Sequence, residues 1–326
     1  MLLKIKVPAT TANIGPGFDI WGMALNLYNT FSCEITGENK EKPEFSFSYS
    51  PLVKSTTNAD LDQLLSNPEN NYFYKSFCSI FQQLNLDIPQ IKLSVNIEIP
   101  LSRGLGSSST SIIAGMLAAN EYIRHFKNTS FHMSELFQLA VQMEGHPDNI
   151  APALYGGWVL SIYDDKLNIY TPVLLPVEAP VKLAGVIPHI TLATKDARKV
   201  ISQSHHISTI AYQSSRTALM TWLLTKKVWH AGDRDLFKKA IQDKIHQTQR
   251  SALIPGMLDT FNYWMEQGAL AAYLSGAGTT LLSFWDEVFN FDKIDLKKVM
   301  GEAGIEATPF YPAIDRTGTI IETISI

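Results

Sequence analysis

Pro100-Leu101-Ser102-Arg103-Gly104-Leu105-Gly106-Ser107-Ser108-Ser109 is the stretch whose flanks declare the fold. Before it, Ile91, Leu93, Val95, Ile97 and Ile99 alternate with Lys92, Ser94, Asn96 and Glu98, the pattern of a half-buried strand. After it, Ile112, Ile113, Met116, Leu117 and Ile123 recur at helical spacing, with Ser and Thr available as N-caps. A strand therefore enters a glycine- and serine-rich turn that opens a helix. First-turn N–H groups lack intrahelical partners and the helix dipole is positive there, so an anion can settle. Gly104 and Gly106 admit backbone angles and a close approach that a Cβ would block. The hydroxyls of Ser107 and Ser108 can reach phosphate oxygens or a metal. The turn reads as a phosphate cradle, though not one of the two commonest. Gly106 is followed by Ser107 where GxxxxGK[ST] needs a lysine, and Ser109 stands where GxGxxG needs its third glycine. Read alone, such a turn serves a plain tight connection as well as a ligand site.

The rest of the composition narrows the class. At 326 residues the chain exceeds the usual single core, so two domains are expected. A hydrophobic content of 45% and a charged content of 18% suit a soluble globular protein. A net charge of −4 offers no basic footprint for nucleic acid, and Lys226-Lys227 and Lys297-Lys298 read as solvated helix faces. Cys33 and Cys78 make neither a disulfide framework nor a zinc site, which points to a reducing compartment. The first residues alternate like a strand, without a signal peptide's apolar core, and no run approaches a membrane span. A cytoplasmic protein with no membrane partner is expected.

Along the first half, strands are expected at 2–7, 27–36, 45–50 and 91–99. Phe73, Phe77, Ile80, Phe81 and Leu84 mark a helix face, and residues 51–70 read as a polar surface loop with at most a helical turn. Ser134 is placed as the cap of a second helix through Leu136, Leu139, Ala140 and Met143. The polar turn Asp164-Asp165-Lys166 suggests a division into residues 1–165 and 166–326. In the second half a strand is expected near Lys182–Val186, helices around 214–229, 234–248 and 257–267, and a strand at Ala269–Leu274. Val200–Ser215, rich in Ser, Gln and His, reads as a mobile loop.

Four further segments carry candidate chemistry. The first is Val7-Pro8-Ala9-Thr10-Thr11-Ala12-Asn13-Ile14-Gly15-Pro16-Gly17-Phe18-Asp19, which puts an amide (Asn13) and a carboxylate (Asp19) on an irregular loop; alone, it would be turn chemistry. In Glu144-Gly145-His146-Pro147-Asp148-Asn149, Glu144 follows an apolar helix face, an odd place for an acid unless it binds something. Magnesium bridging phosphates asks for one or two carboxylates plus water, and Glu144 with Ser107 or Ser108 meets that need. Asp148 and Asn149 could orient an amine and a hydroxyl. Arg198, in Thr194-Lys195-Asp196-Ala197-Arg198, and Arg250, before Leu253-Ile254-Pro255-Gly256, read alone as surface arginines. If the substrate carries a carboxylate, their planar forks suit it better than a lysine would.

Together these strings resemble the GHMP kinases, and within them the homoserine kinase family. PxxxGLGSSS is similar to the motif that holds ATP phosphates there, VPATTANIGPGFD to the first homoserine kinase motif, and EGHPDN to the second. Ser275-Gly276-Ala277-Gly278-Thr279-Thr280 resembles the third motif, usually SGSGPT, with Ala277 and Thr279 as departures; it is expected as a loop packed beneath the site. Other GHMP kinases usually carry a lysine in a PGK-type first motif, which this chain lacks. The resemblance implies an α+β, two-domain GHMP kinase fold: an N-terminal domain like domain 2 of ribosomal protein S5 and a ferredoxin-like C-terminal domain. It implies ATP and Mg²⁺, and transfer of phosphate to the side-chain hydroxyl of L-homoserine, on the way to threonine.

On this reading Pro100, Leu101, Ser102, Arg103, Gly104, Leu105, Gly106, Ser107, Ser108, Ser109 and Thr110 bind the nucleotide, with Asn71 near the adenine. Glu144, Ser107 and Ser108 hold the metal. Asn13, Asp19, Asp148 and Asn149 align the alcohol, and Arg198 and Arg250 take the carboxylate. Asp148 orients first and serves as a base second, since these kinases are read as passing the proton towards the γ-phosphate. A homodimer is expected on the same ground. The alternatives are another GHMP kinase, of mevalonate or sugar type, and an inactive GHMP-fold binding protein.

Overall fold

A computed structural model describes residues 1–36, 42–52 and 58–324. The first half is built on one mixed sheet. β1 (Leu2–Ala12) and the long β2 (Trp21–Thr36) form an antiparallel pair along their whole common length, with a register shift at Pro8/Ala9. Next come β3 (Glu44–Tyr49), α1 (Asn58–Ser66), α2 (Tyr72–Gln83) and β4 (Gln90–Ile97). α3 (Ser107–Phe126), α4 (Met133–Glu144) and α5 (Pro147–Tyr155) follow, then the hairpin of β5 (Trp158–Asp164) and β6 (Ile169–Leu175). β2 is the hub of the sheet: its far half pairs with β4, and Trp21–Met23 pair with β5. The turn at 165–168, where the sequence suggests a division, joins two strands of this same sheet.

The alternation read in β4 is realised, with Ile91, Leu93, Val95 and Ile97 buried and Lys92 and Ser94 exposed. These side chains meet Phe73, Phe77, Ile80 and Phe81 of α2 and the inner face of α3 in one apolar core. Burying a large apolar side chain contributes roughly 1.5–3 kcal/mol, so this core fixes where the turn after β4 must sit.

The second half begins with β7 (Val181–Pro188) and continues through α6 (Thr194–Lys199), α7 (Ile207–Leu224), α8 (Asp233–Ala240), α9 (Gln247–Arg250) and α10 (Met257–Glu266). β8 (Ala271–Leu274), β9 (Leu281–Asp286), α11 (Lys298–Glu302) and β10 (Ala307–Phe310) complete it. Its sheet is antiparallel, in the order β10-β7-β9-β8. β11 (Ile320–Ile324) returns to the first sheet and pairs with β1. The chain thus ends in the sheet where it began. A second core, with Trp21, Ile99 and Leu105 from the first half and Met220, Leu223 and Tyr273 from the second, joins the two sheets. Among the described residues no helix is long and apolar enough to cross a membrane.

Several expected boundaries are corrected. Where a loop was expected over 51–70, α1 occupies Asn58–Ser66; the part of that loop at 53–57 lies outside the described residues. α4 starts at Met133, capped by His132 and Glu135, so Ser134 lies inside the helix. α7 begins at Ile207, inside the stretch read as a mobile loop, and ends at Leu224 rather than 229. The helix expected over 234–248 stops at Ala240. Asp243 then accepts from the N–H groups of Ile245, His246 and Gln247, which closes a new turn and starts α9.

Candidate active site

The cradle is held from three directions. Asn29, buried in β2, accepts from the N–H groups of Glu98 and Ile99, each at 3.0 Å, and donates to the Thr110 hydroxyl at 2.9 Å. One amide therefore ties the exit of β4 to the first turn of α3. From the second half, Ser275 donates its one hydroxyl proton to the Gly104 carbonyl at 2.6 Å, and its oxygen, 2.8 Å from the Thr11 hydroxyl, is left to accept from it. A Cβ on Gly104 would lie 2.1 Å from the Ser275 carbonyl, so glycine is what lets the two loops meet. Arg103 donates to the carbonyls of Pro188 and Leu101, clipping the loop to the end of β7. Gly106, at φ +70°, is the N-cap of α3, and no side chain caps that turn. The expected Ser/Thr cap is replaced by glycine, which leaves the first-turn amides for a ligand.

Acidic groups face this helix mouth. Glu144 ends α4, Gly145 turns the chain at φ +92°, and Pro147 starts α5, whose first turn carries Asp148. Glu144 Oε1 accepts from Ser108 at 2.8 Å and from Ser109 at 3.2 Å. Asp148 is buried; Asn149 donates to its Oδ1 at 3.2 Å while accepting from the Thr10 hydroxyl at 2.7 Å. His146 Nδ1 lies 3.0 Å from Asp148 Oδ1 at an angle that misses a proper hydrogen bond, so the contact is electrostatic. Burial works against the imidazolium, but Asp148 and Glu144 outweigh it and raise the His146 pKa.

The two arginines enter from the second half, and they differ. Arg198 on α6 is locked in a two-pronged bond to Asp19, at 2.9 and 2.7 Å. Arg250 on α9 is 1% exposed and donates to the carbonyls of Ala197 (3.1 Å) and Gly276 (2.8 Å). Both guanidinium carbons lie 5.5 Å from the Phe18 ring centre. Asn13, at φ +69°, accepts from the Asp19 N–H and donates to the Gly276 carbonyl, so it shapes the loop between them.

The helix mouth, the acidic groups and both arginines open on one cavity of about 460 Å³. Its polar end holds Asn13, Asp19, Glu144, Asp148, Asn149, Arg198 and Arg250, and its other arm is apolar, walled by Phe31, Phe47, Tyr72, Phe73, Leu93 and Val95. Every expected nucleotide residue from Pro100 to Ser108 lines it. Ser109 and Thr110 do not: both are fully buried behind the wall, where their hydroxyls brace Glu144 and the loop. Asn71 lines the cavity too, with its amide capping α2 through Tyr74 and donating to the Leu65 carbonyl.

Residues 71–157 match the family described as GHMP kinases N terminal domain. A homoserine kinase from Clostridium beijerinckii is 36% identical over 323 residues, 98% of this chain and 99% of that protein. One from Synechocystis is 37% identical, with 97% of each chain covered. The chain belongs to the homoserine kinase family of GHMP kinases. The crystal structure of homoserine kinase from Cytophaga hutchinsonii superposes with a TM-score of 0.80 at 26% identity, over 98% of this chain and 97% of that one. The two-domain GHMP kinase fold expected from the motifs is therefore the fold observed.

Within this homoserine kinase fold, the donor set at the helix mouth suits a cation that is held chiefly by others. Among the described residues no three His, Cys, Asp or Glu side chains gather as a metal site. Glu144 offers one carboxylate, with Oε1 braced by two serines and Oε2 free of protein donors among the described residues. One carboxylate would fit a divalent cation held mainly through phosphate and water, and does not make a dedicated protein cage. Asn29 is the residue that sequence reading missed. Its signal was an amide in phase with the apolar positions Phe31, Cys33 and Ile35 of its strand, where a buried polar group needs partners.

Proposed function

We propose that this protein transfers the γ-phosphoryl group of ATP to the side-chain hydroxyl of L-homoserine, giving O-phospho-L-homoserine, a step towards threonine. The observation that carries the reading is the meeting, on one cavity, of an uncapped helix mouth, Glu144, Asp148 and two arginines. The turn 100–108 holds the triphosphate, with the backbone amides of the first turn of α3 facing its oxygens. The apolar arm takes the adenine by its faces, with Asn71, which caps α2 and holds the Leu65 carbonyl, beside it. Mg²⁺, with Glu144 and Ser107 or Ser108 as its protein ligands, would neutralise charge on the phosphates.

Phosphoryl transfer asks chiefly for positioning and charge stabilisation. Asp148 and Asn149 on α5 orient the amino alcohol, Asn13 and Asp19 close the other side, and Arg250 with Arg198 reads the carboxylate. The hydroxyl oxygen forms the new bond to phosphorus as the bond to the β-phosphate oxygen breaks. The hydroxyl proton moves towards the transferred phosphate, with Asp148 oriented to accept it in second place. By the same family reading we propose a cytoplasmic homodimer that binds neither nucleic acid nor membrane; sedimentation equilibrium tests the dimer.

The test of function is release of ADP from Mg-ATP with L-homoserine, L-threonine, mevalonate and galactose in parallel. Release with L-homoserine alone is expected. Release with mevalonate or galactose instead would replace the substrate assignment, and release with none would leave a binding protein.

A further inference from the structure

Among the described buried titratable side chains that the mechanism above does not use, His246 is one that touches the substrate end of the site. His246 is fully buried, stacks its ring 5.3 Å from that of Phe18, and touches two parts of the site at once. Its Nδ1 lies 3.2 Å from Arg250 Nη1, and its Nε2 lies 2.9 Å from the Gly15 carbonyl. A guanidinium has only donors and a carbonyl only accepts, so the two contacts fix the ring without further choice. Nδ1 must be the bare acceptor and Nε2 must carry the hydrogen. A protonated ring would set a second donor against Arg250, so the imidazole is neutral, the same direction in which burial pushes it.

We infer that His246 is the positioning residue for substrate recognition: it aims the Arg250 guanidinium at the carboxylate end of the cavity and ties that aim to the Gly15–Asp19 loop. The Arg250 fork makes its remaining contacts through Nε to Ala197 and Nη1 to Gly276, which leaves Nη2 on the cavity side without a protein acceptor among the described residues. Without Nδ1, Nη1 keeps a single acceptor and the guanidinium can swing about its long side chain. The backbone around His246 is stiff enough to transmit the restraint. Asp243 holds the N–H groups on either side of it, and Gln213 donates both to Asp243 and to the Pro16 carbonyl. Loop, imidazole and guanidinium are therefore one unit.

This inference rests on the reading that Arg250 binds the substrate carboxylate, and the experiment separates the two. His246→Gln keeps a donor near the Gly15 carbonyl and lacks the acceptor at Nδ1; His246→Asn does the reverse. Each is assayed with L-homoserine and with 3-aminopropan-1-ol, the same amino alcohol without its carboxylate, as a substrate or as a competitive inhibitor, alongside thermal melts. The Gln variant is expected to lose about tenfold of the preference for the carboxylate-bearing ligand, the scale of one hydrogen bond to a charged group, with KM for ATP unchanged. The Asn variant is expected to keep that preference. Equal preference in both variants, whether retained or lost, would overturn the positioning role. If Arg250→Met leaves the preference intact, the carboxylate assignment itself fails.

Discussion

Gly106→Ala tests the helix mouth on which nucleotide binding depends. Gly106 sits at φ +70°, and a Cβ there would lie 2.0 Å from the Thr10 hydroxyl and 3.2 Å from Asn149 Oδ1. An L-residue in that conformation costs roughly 1–2 kcal/mol. Moving Thr10 aside breaks its 2.7 Å bond to Asn149, a further loss of about 0.5–1.5 kcal/mol. The sum, roughly 1.5–3.5 kcal/mol, must appear somewhere. If the loop keeps its shape, the strain is carried by the folded protein and shows as a lower melting temperature. If the loop relaxes, stability recovers, but ATP must restore the strained shape, and kcat/KM for ATP falls by about 10- to 400-fold. The two losses, expressed as free energies, should add to the same total. Gly232→Ala is the control, because Gly232 is at φ +92° with nothing within 4 Å of its Cβ. It carries the backbone term alone and should leave ATP kinetics untouched. Steady-state kinetics with ATP varied, plus thermal melts of both variants, decide the matter. A Gly106→Ala protein with wild-type stability and wild-type kcat/KM for ATP would refute the reasoning.

Asp148→Asn keeps the shape of the α5 turn and removes one charge. On the proposed role, in which Asp148 orients the amino alcohol and not the nucleotide, kcat should fall about 10²- to 10³-fold while the dissociation constant of ATP moves little; equal losses in both would count against an orienting role. His146 supplies a pH signature. Its pKa is raised in the folded protein, against burial, by Asp148 and Glu144, so the native state holds the proton more tightly than the unfolded chain. The resulting stabilisation is complete below the ordinary histidine value of about 6.5 and is lost as pH rises through the raised folded-state value. The melting temperature of the wild type relative to His146→Gln should therefore drop across that window, and a gap that stays flat with pH would show that the contact with Asp148 carries no charge.

What could be read from the sequence was what local chemistry decides. The strand–turn–helix around Gly104 and Gly106 was legible because alternation, helical spacing and glycine placement are properties of adjacent residues. β1 runs on to Ala12, well past the expected residue 7, because Ala9-Thr10-Thr11-Ala12 has no apolar alternation to reveal it. Those small residues are buried on both sides against Met23, Ala24 and Leu25. The start of α7 was hidden because Ile207 and Ile210 face solvent and the buried contacts begin only at Gln213. The break after Ala240 depends on a single carboxylate, that of Asp243, capturing three N–H groups downstream, which no hydrophobic period records. The candidate site residues were legible as motifs, but their pairings were not. Asp19 and Arg198 are separated by 179 positions, and Gly15 and His246 by 231. Such contacts exist only once the second half has packed on the first.

Those long-range pairings divide the labour of the two arginines, which the motif reading had given a single task. Arg198 already has its anion: the Asp19 pair is two-pronged, with side chains 36% and 33% exposed, and such partly hydrated pairs contribute at most about 1 kcal/mol. Arg250 is the opposite case. It is buried, it meets only neutral acceptors, and among the described residues no carboxylate lies within ion-pair distance of it. Burial first, and then repulsion from Arg198, lower its pKa to about 10. Asp19, Asp148 and Asp243 act in the other direction without pairing with it, so an anion that reaches the same cavity would relieve a cost that burial leaves. The substrate carboxylate is such an anion. On the proposed function its first contact falls to Arg250, while Asp19, besides closing the substrate side, keeps Arg198 neutralised at the rim, where a second arginine left unpaired would raise the cost of burying the first.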